Sequence, residues 1–175
     1  MATDFLFCGQ RLSDFNFIVC CFDGEKPTIS GGEIEINVIK PPSNDKYVFY
    51  GSNLNSVLEF KFSIMKNPCN KNQDELYLNS HEQSVISKWL KKRDNYHWVQ
   101  FDEEGFEDIA YKVQTNLAPY LFNGKVIGYN VTMTSNCGYG FSNEIIIEET
   151  IDKNKPLYIN LHNDTDSYSF PLIKS

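Results

Sequence analysis

Apolar and polar residues alternate along much of this chain. Ile34, Ile36 and Val38 alternate with Glu33, Glu35 and Asn37, and Leu58, Phe60, Phe62 and Ile64 with Glu59, Lys61 and Ser63. Ile109, Tyr111 and Val113 fall opposite Asp108, Lys112 and Gln114; Ile127, Tyr129, Val131 and Met133 make a further set. A period of two sends successive side chains to opposite sides. These segments therefore predict half-buried strands, each with a core face and a wetter face. Residues 5–7 and 15–22 read as an N-terminal strand pair that turns at Cys8-Gly9-Gln10. Asn123-Gly124, between Phe122 and Val126, predicts a tight hairpin, because both residues tolerate positive φ. Pro41-Pro42-Ser43-Asn44-Asp45-Lys46 predicts the tip of another hairpin. Most connections are short and polar, which favours antiparallel pairing.

Residues 76–101, LYLNSHEQSVISKWLKKRDNYHWVQF, break the alternation. Val85, Ile86, Trp89 and Leu90 recur at helical spacing and make one apolar stripe. Asn79 or Ser80 can cap the first turn, with Ser80 and Gln83, or more loosely Asn79 and Glu82, as a reciprocal box. Glu82 in the first turn and Lys91, Lys92 and Arg93 in the last match the helix dipole. The pattern predicts one helix over residues 79–92, with Trp89 as the anchor that pins it to a sheet.

These elements together predict a mainly β fold of α+β type. Its simplest form is an antiparallel β-sandwich of two sheets with one packed α-helix. Residues 1–150 read as one domain. Residues 151–175 read as a linker, Asp152-Lys153-Asn154-Lys155-Pro156, followed by one hairpin in which Leu157, Ile159 and Leu161 precede Tyr168, Phe170 and Leu172. A lone hairpin is marginal in water, so it either pairs with the main domain or, as expected here, opens a second domain that is truncated.

A chain of 175 residues, 41% hydrophobic, is long enough to bury one sizeable core. The net charge of −7 speaks against phosphate binding and so against nucleic-acid recognition as the main task. No apolar run approaches the roughly 20 residues needed to span a bilayer, and the first residues, MATDFLFCGQRLSDF, do not read as a signal peptide. The five cysteines, Cys8, Cys20, Cys21, Cys69 and Cys137, lack ligand-like spacing. They read as reduced, mostly buried thiols of a protein made in a cytoplasm.

Candidate chemistry is sparse. Asp102-Glu103-Glu104-Gly105-Phe106-Glu107-Asp108 concentrates carboxylates, which could hold Ca²⁺ or act as a glycosidase pair. It lacks EF-hand spacing and reads first as a solvated turn between two strands. His81, His97 and His162 are far apart and form no metal or nucleophile motif. Tyr96, Trp98, Tyr120, Tyr139 and Tyr168 could line a sugar site, although aromatics are also ordinary strand residues. No catalytic, cofactor-binding or metal-ligating residue is assigned.

Several segments, in order, resemble the N-terminal domain of the distal tail proteins (Dit) of long-tailed siphophages. Phe5-Leu6-Phe7-Cys8-Gly9, then Leu12-Ser13-Asp14-Phe15 and Phe22-Asp23-Gly24, are similar to that family's opening. Ile39-Lys40-Pro41 through Tyr47-Val48-Phe49-Tyr50-Gly51, leading into Leu58-Glu59-Phe60-Lys61-Phe62-Ser63-Ile64, resemble its central hairpin. Glu82 through Trp89-Leu90 resembles its helix. Gly124-Lys125-Val126-Ile127-Gly128-Tyr129 and Ser135-Asn136-Cys137-Gly138-Tyr139-Gly140-Phe141-Ser142 resemble its closing strands, and residues 157–172 the start of its galectin-like second domain.

The resemblance implies a phage tail-tube-like fold and a structural, non-catalytic role without cofactor. It implies self-assembly into a ring, a hexamer, that joins the tail tube to the adsorption apparatus. Partners would be the tube, the tape measure and a fibre or lysin protein, in a virion tail assembled in the bacterial host cytoplasm from a phage or prophage. The alternatives are a carbohydrate-binding β-sandwich module or a tail tube subunit.

Overall fold

Alternation and helical stripe both become the expected elements in a computed structural model. It describes residues 4–142 apart from residues 23, 25, 43, 44, 55, 70, 71, 106 and 107. All of these belong to the first of two compact units, which ends at Asn143. The expected linker and hairpin at 151–175, with His162 and Tyr168, lie outside the described residues.

The strands are β1 (Phe5–Phe7), β2 (Gln10–Arg11), β3 (Phe17–Cys20), β4 (Thr28–Ser30), β5 (Ile34–Ile39), β6 (Val48–Leu54), β7 (Glu59–Lys66), β8 (His97–Phe101), β9 (Ile109–Phe122), β10 (Lys125–Ser135) and β11 (Phe141–Ser142). The helix α1 spans Ser80–Leu90. One antiparallel sheet runs in the order β2-β1-β8-β9-β10-β7-β3, with β4 also on β7 and β11 also on β9. β5 and β6 pair only with each other among the described residues. The fold class is thus mainly antiparallel β with one packed helix, as the sequence predicts.

The two layers come from one continuous sheet and not from two. β1 and β7 are separated in the sheet by three strands, yet the rings of Phe5 and Phe62 meet edge-on with centroids 5.4 Å apart. The sheet bends until its ends share one core of Phe5, Phe7, Phe60, Phe62, Ile64, Val99, Val113, Val131 and Met133. A bulge in β10 between Val126 and Gly128 contributes to the bend. At Gly128 a Cβ would overlap the Ile64 carbonyl oxygen, so only glycine passes there.

The N-terminal pairing differs from expectation. Cys8 and Gly9 do form the turn, with φ of 51° and 78°. They bring only the polar Gln10 and Arg11 beside β1. Leu12 then turns into the core through a 3₁₀ turn, Leu12–Phe15, and β3 pairs with β7 instead. Ser63, expected on a wetter face, is buried, and its hydroxyl donates to Asn130 Oδ1 at 2.8 Å.

Asn79 caps α1. Its side chain accepts from the Glu82 N–H at 2.9 Å, and the Glu82 carboxylate accepts from the Asn79 N–H at 2.9 Å. The looser of the two capping alternatives therefore forms. Lys66, at the end of β7, holds this terminus to the sheet: its ammonium lies 2.7 Å from Glu82 and donates to the Glu75 and Tyr77 carbonyls. Trp89 stacks on Phe5, meets Phe7 edge-on and lies 4.5 Å from Phe15 between ring centroids. Its indole N–H donates to the Phe7 carbonyl at 3.1 Å.

The five cysteines are unpaired, and none is fully buried: Cys8, Cys20 and Cys137 are half-buried, Cys21 and Cys69 exposed. The expectation of mostly buried thiols is corrected here. Cys69 follows the end of β7 on the surface, and alternation along the chain turns Cys21 outward from Cys20. Burial, and then the neighbouring Cys21, push the Cys20 thiol up to about 12.

Two outcomes follow from this packing. Trp89→Ala should lower unfolding free energy in urea by about 3–5 kcal/mol, as large core truncations do, and Asn79→Ala by about 1 kcal/mol. A Trp89→Ala midpoint indistinguishable from wild type would mean that the indole does not hold the helix. With iodoacetamide near pH 8, peptide mass spectrometry should show Cys21 and Cys69 modified first and Cys20 at least about tenfold more slowly, because the thiolate is the nucleophile. Equal rates at Cys20 and Cys21 would contradict the burial.

Candidate assembly interface

β5 and β6 form a ribbon that leaves the main sheet. The alternation of Ile34, Ile36 and Val38 predicts a core face, yet every residue of β5 is exposed. Ile34 and Phe49 are each 62% exposed and Tyr50 69%. Ile36, Val38, Ile39, Tyr47 and Val48 are exposed as well. The register pairs Ile34 with Leu54, Val38 with Phe49 and Ile39 with Val48. These residues obey strand chemistry locally, but no described element covers them. The core-face expectation fails because alternation reports two unlike faces and not what lies against either.

Burying one such side chain is worth about 1.5–3 kcal/mol, and a two-stranded ribbon is marginal alone. An exposed apolar ribbon of this size marks an interaction surface. A bulge at Tyr50-Gly51 opposite Asn37, with Gly51 at φ 124°, twists it further. Beside its root lies an open cleft of about 530 Å³ lined by Ser30, Gly31, Ser56, Val57, Glu59 and Thr134.

The other candidates do not converge. Asp102 pairs with Arg11 at 3.1 Å, and Arg11 also lies 3.7 Å from Asp4, so the start of the acidic turn ties β8 to the N-terminal turn. Glu103 lines a cavity of about 30 Å³ with Phe60, Phe101 and Tyr111, about the volume of one water. Burial, and then Glu103, raise the Tyr111 hydroxyl above its usual range. His81 is exposed in the first turn of α1. His97 lies 3.0 Å from Asp94, and that hydrogen bond holds the Asp94 carboxyl below its usual range. Among the described residues, no three His, Cys, Asp or Glu side chains are grouped as metal ligands.

Among the described aromatics named from the sequence, Trp98 and Tyr139 share Phe141 as a neighbour, and Tyr120 packs elsewhere. Trp98 is exposed and meets Phe141 at a nearly perpendicular 89°, with Lys112 over its face at 4.8 Å. Tyr139 tilts against Phe141, while Tyr120 stacks instead on Phe22 at 4.0 Å. Phe141 was not among the residues the sequence singled out; its place between Tyr139 and Trp98 depends on β11 returning to β9. Perpendicular rings do not offer the flat platform on which a sugar face stacks.

Comparison with known proteins gives the context. Residues 1–137 match the family model described as a phage tail protein N-terminal domain. No curated protein matches the chain. Among solved structures, the crystal structure of SPP1 Dit (gp 19.1), described as a paradigm of the hub adsorption apparatus in phages infecting Gram-positive bacteria, superposes with a TM-score of 0.51. Identity is 15%, over 83% of this chain and 54% of that one, so the chain spans about half the length of that protein. At this identity the likeness establishes the fold. It agrees with the resemblance to distal tail proteins that the motifs carry. A structural role in a phage tail follows from the family match, which covers most of the sequence: the chain belongs to the family of phage tail protein N-terminal domains.

Proposed function

We propose that this domain is the ring-forming part of a distal tail hub, which ends the tail tube and joins it to the adsorption apparatus. The observation that carries the reading is the apolar ribbon of β5 and β6, whose Ile34, Ile36, Val38, Ile39, Val48, Phe49 and Tyr50 are all exposed in the single chain. The ribbon is one surface, and a neighbouring copy would meet it with a different one. Such head-to-tail contacts close into rings when the rotation allows and run into filaments when it does not. Six copies in a ring would bury six ribbons and leave no ribbon exposed.

In this reading the partners are other copies of the chain, then the tube, the tape measure and a fibre or lysin protein. The place is the virion tail, assembled in the bacterial host cytoplasm. The role is structural and without catalysis. The net charge of −7 suits a ring around passing DNA, since surplus negative charge does not hold phosphates. A tail tube subunit is the runner-up, because stacked copies of a related fold would also bury the ribbon. The two differ in product: separate rings or continuous tubes.

Light scattering and negative-stain imaging of the full chain should show six-fold rings. Replacing two ribbon residues, Ile36→Lys with Phe49→Lys, should give monomers whose melting temperature stays within a few degrees of the wild type, since neither side chain is in the core. A wild-type chain that stays strictly monomeric at high concentration would defeat the hub reading. Tubes in place of rings would favour the runner-up.

A further inference from the structure

The ribbon and the main sheet are two parts of one long hairpin, and the joint between them is unusually constrained. On the sheet side, β4 pairs with β7 up to Ser30 opposite Glu59. On the ribbon side, pairing resumes with Ile34 opposite Leu54. Gly31 and Gly32 carry one leg between the two ladders, both at positive φ, 98° and 71°.

Gly31 lies so close to the opposite leg that a Cβ would overlap the Val57 carbonyl oxygen. At Gly9, Gly51 and Gly124, also at positive φ, the same atom would meet nothing within 4 Å. Glycine at 31 therefore answers two demands, a left-handed backbone and direct contact between the legs. Gly32 is also packed, with Leu58 Cδ2 and the Gly138 carbonyl oxygen 3.2 and 3.3 Å from where its Cβ would be.

Polar contacts tie the same joint. The Glu33 N–H donates to Ser56 Oγ at 2.7 Å, across the two legs. The Leu58 N–H donates to Ser135 Oγ at 2.8 Å, and the Leu58 carbonyl accepts from the Ser135 N–H at 2.8 Å. Ser135 is buried in β10, and its hydroxyl donates in turn to the Cys137 carbonyl. The legs are thus held to each other and to β10, an interior strand of the main sheet.

We infer that Gly31, Gly32, Ser56, Val57 and Leu58 form a fixed elbow that aims the apolar ribbon before any partner is met. The inference rests on the proposed docking of the ribbon onto a second copy, and it names what sets the docking angle. Gly31 is a positioning residue: it touches no partner and acts through the direction of β5 and β6. A preset angle matters because the apparent affinity falls in proportion to the fraction of time a chain spends in the docking geometry.

The test uses the full chain at a dilution where it is monomeric. Residual dipolar couplings and ¹⁵N relaxation of ribbon amides are compared with those of β7, β9 and β10. In the wild type, ribbon and sheet should fit one alignment tensor, with order parameters near the rigid value of about 0.85. In Gly31→Ala the ribbon should need its own tensor while the core amides stay unshifted. The concentration for half assembly should then rise about tenfold or more, as expected if the docking angle is populated a tenth of the time or less. Ser56→Ala, which adds no backbone strain, should give a smaller loss in the same direction. Ribbon couplings averaged toward zero in the wild type would overturn the elbow, and so would Gly31→Ala assembling at the wild-type concentration. A wild-type chain that never assembles would defeat the hub reading alone, since the couplings report on the elbow without assembly.

Discussion

The seat of Trp89 is the contact on which the rest of the structure depends. One indole touches Phe5, Phe7 and Phe15 and donates a hydrogen bond to the Phe7 backbone. Phe5 in turn meets Phe62 on β7. Through this chain of rings the helix, the N-terminal strand and a distant strand of the sheet share one core. A sheet of this many strands buries only one face unless it folds over or is covered. Here it does both: the bend brings β1 over β7, and α1 covers part of what remains. Lys66 adds a polar tie from the end of β7 to the capping box, so the helix is fixed at its start by charge and near its end by packing.

That core accounts for the main sheet and leaves the ribbon outside it. The hydrophobic residues of β5 and β6 are as apolar as those of β7, but their strands continue past the elbow, where no described element covers them. A monomeric domain with such a feature carries a cost in water-exposed apolar area. The cost is offset in an assembly, which is the physical reason to read the ribbon as half of an interface. The family match and the ribbon are independent: one places the chain among phage tail proteins, the other is an exposed apolar surface suited to a partner.

Local chemistry was the part legible in the sequence. The capped stripe of α1, the Asn123-Gly124 turn and the antiparallel pairing of the strands on either side of Pro41–Lys46 each have a short-range cause and form where expected. What depends on distant partners was not legible. Alternation at Ile34, Ile36 and Val38 could not reveal that their face lies uncovered. The strand predicted to end near Gln114 runs on to Phe122, although Pro119 lies within it. β8 pairs only with Ala110–Val113 of β9, so the proline sits beyond the stretch that needs donors on that side. The pairing of β1 with β8 rather than with residues 15–22 is likewise a matter of tertiary contact. The interface could be traced as two strands and a turn, while its exposure needed the fold.

The same details explain how a chain with so much exposed apolar strand avoids indiscriminate pairing. Exposed edges invite other chains to add strands. At one end of the main sheet, β2 is two residues long and carries Arg11, held toward Asp102 and Asp4. At the other, β3 and β4 are four and three residues long. The length of β9 beyond its pairing with β8 contains Pro119, which cannot donate to a ladder. Charged residues at Glu33, Glu35, Lys40, Asp45 and Lys46 punctuate the ribbon and its tip, and the bulge at Tyr50-Gly51 disturbs its register. Each device weakens a wrong contact without removing the apolar faces. In the proposed hub, association would be left to a surface whose direction is set by its own root, the condition under which copies of one chain would close a ring instead of aggregating.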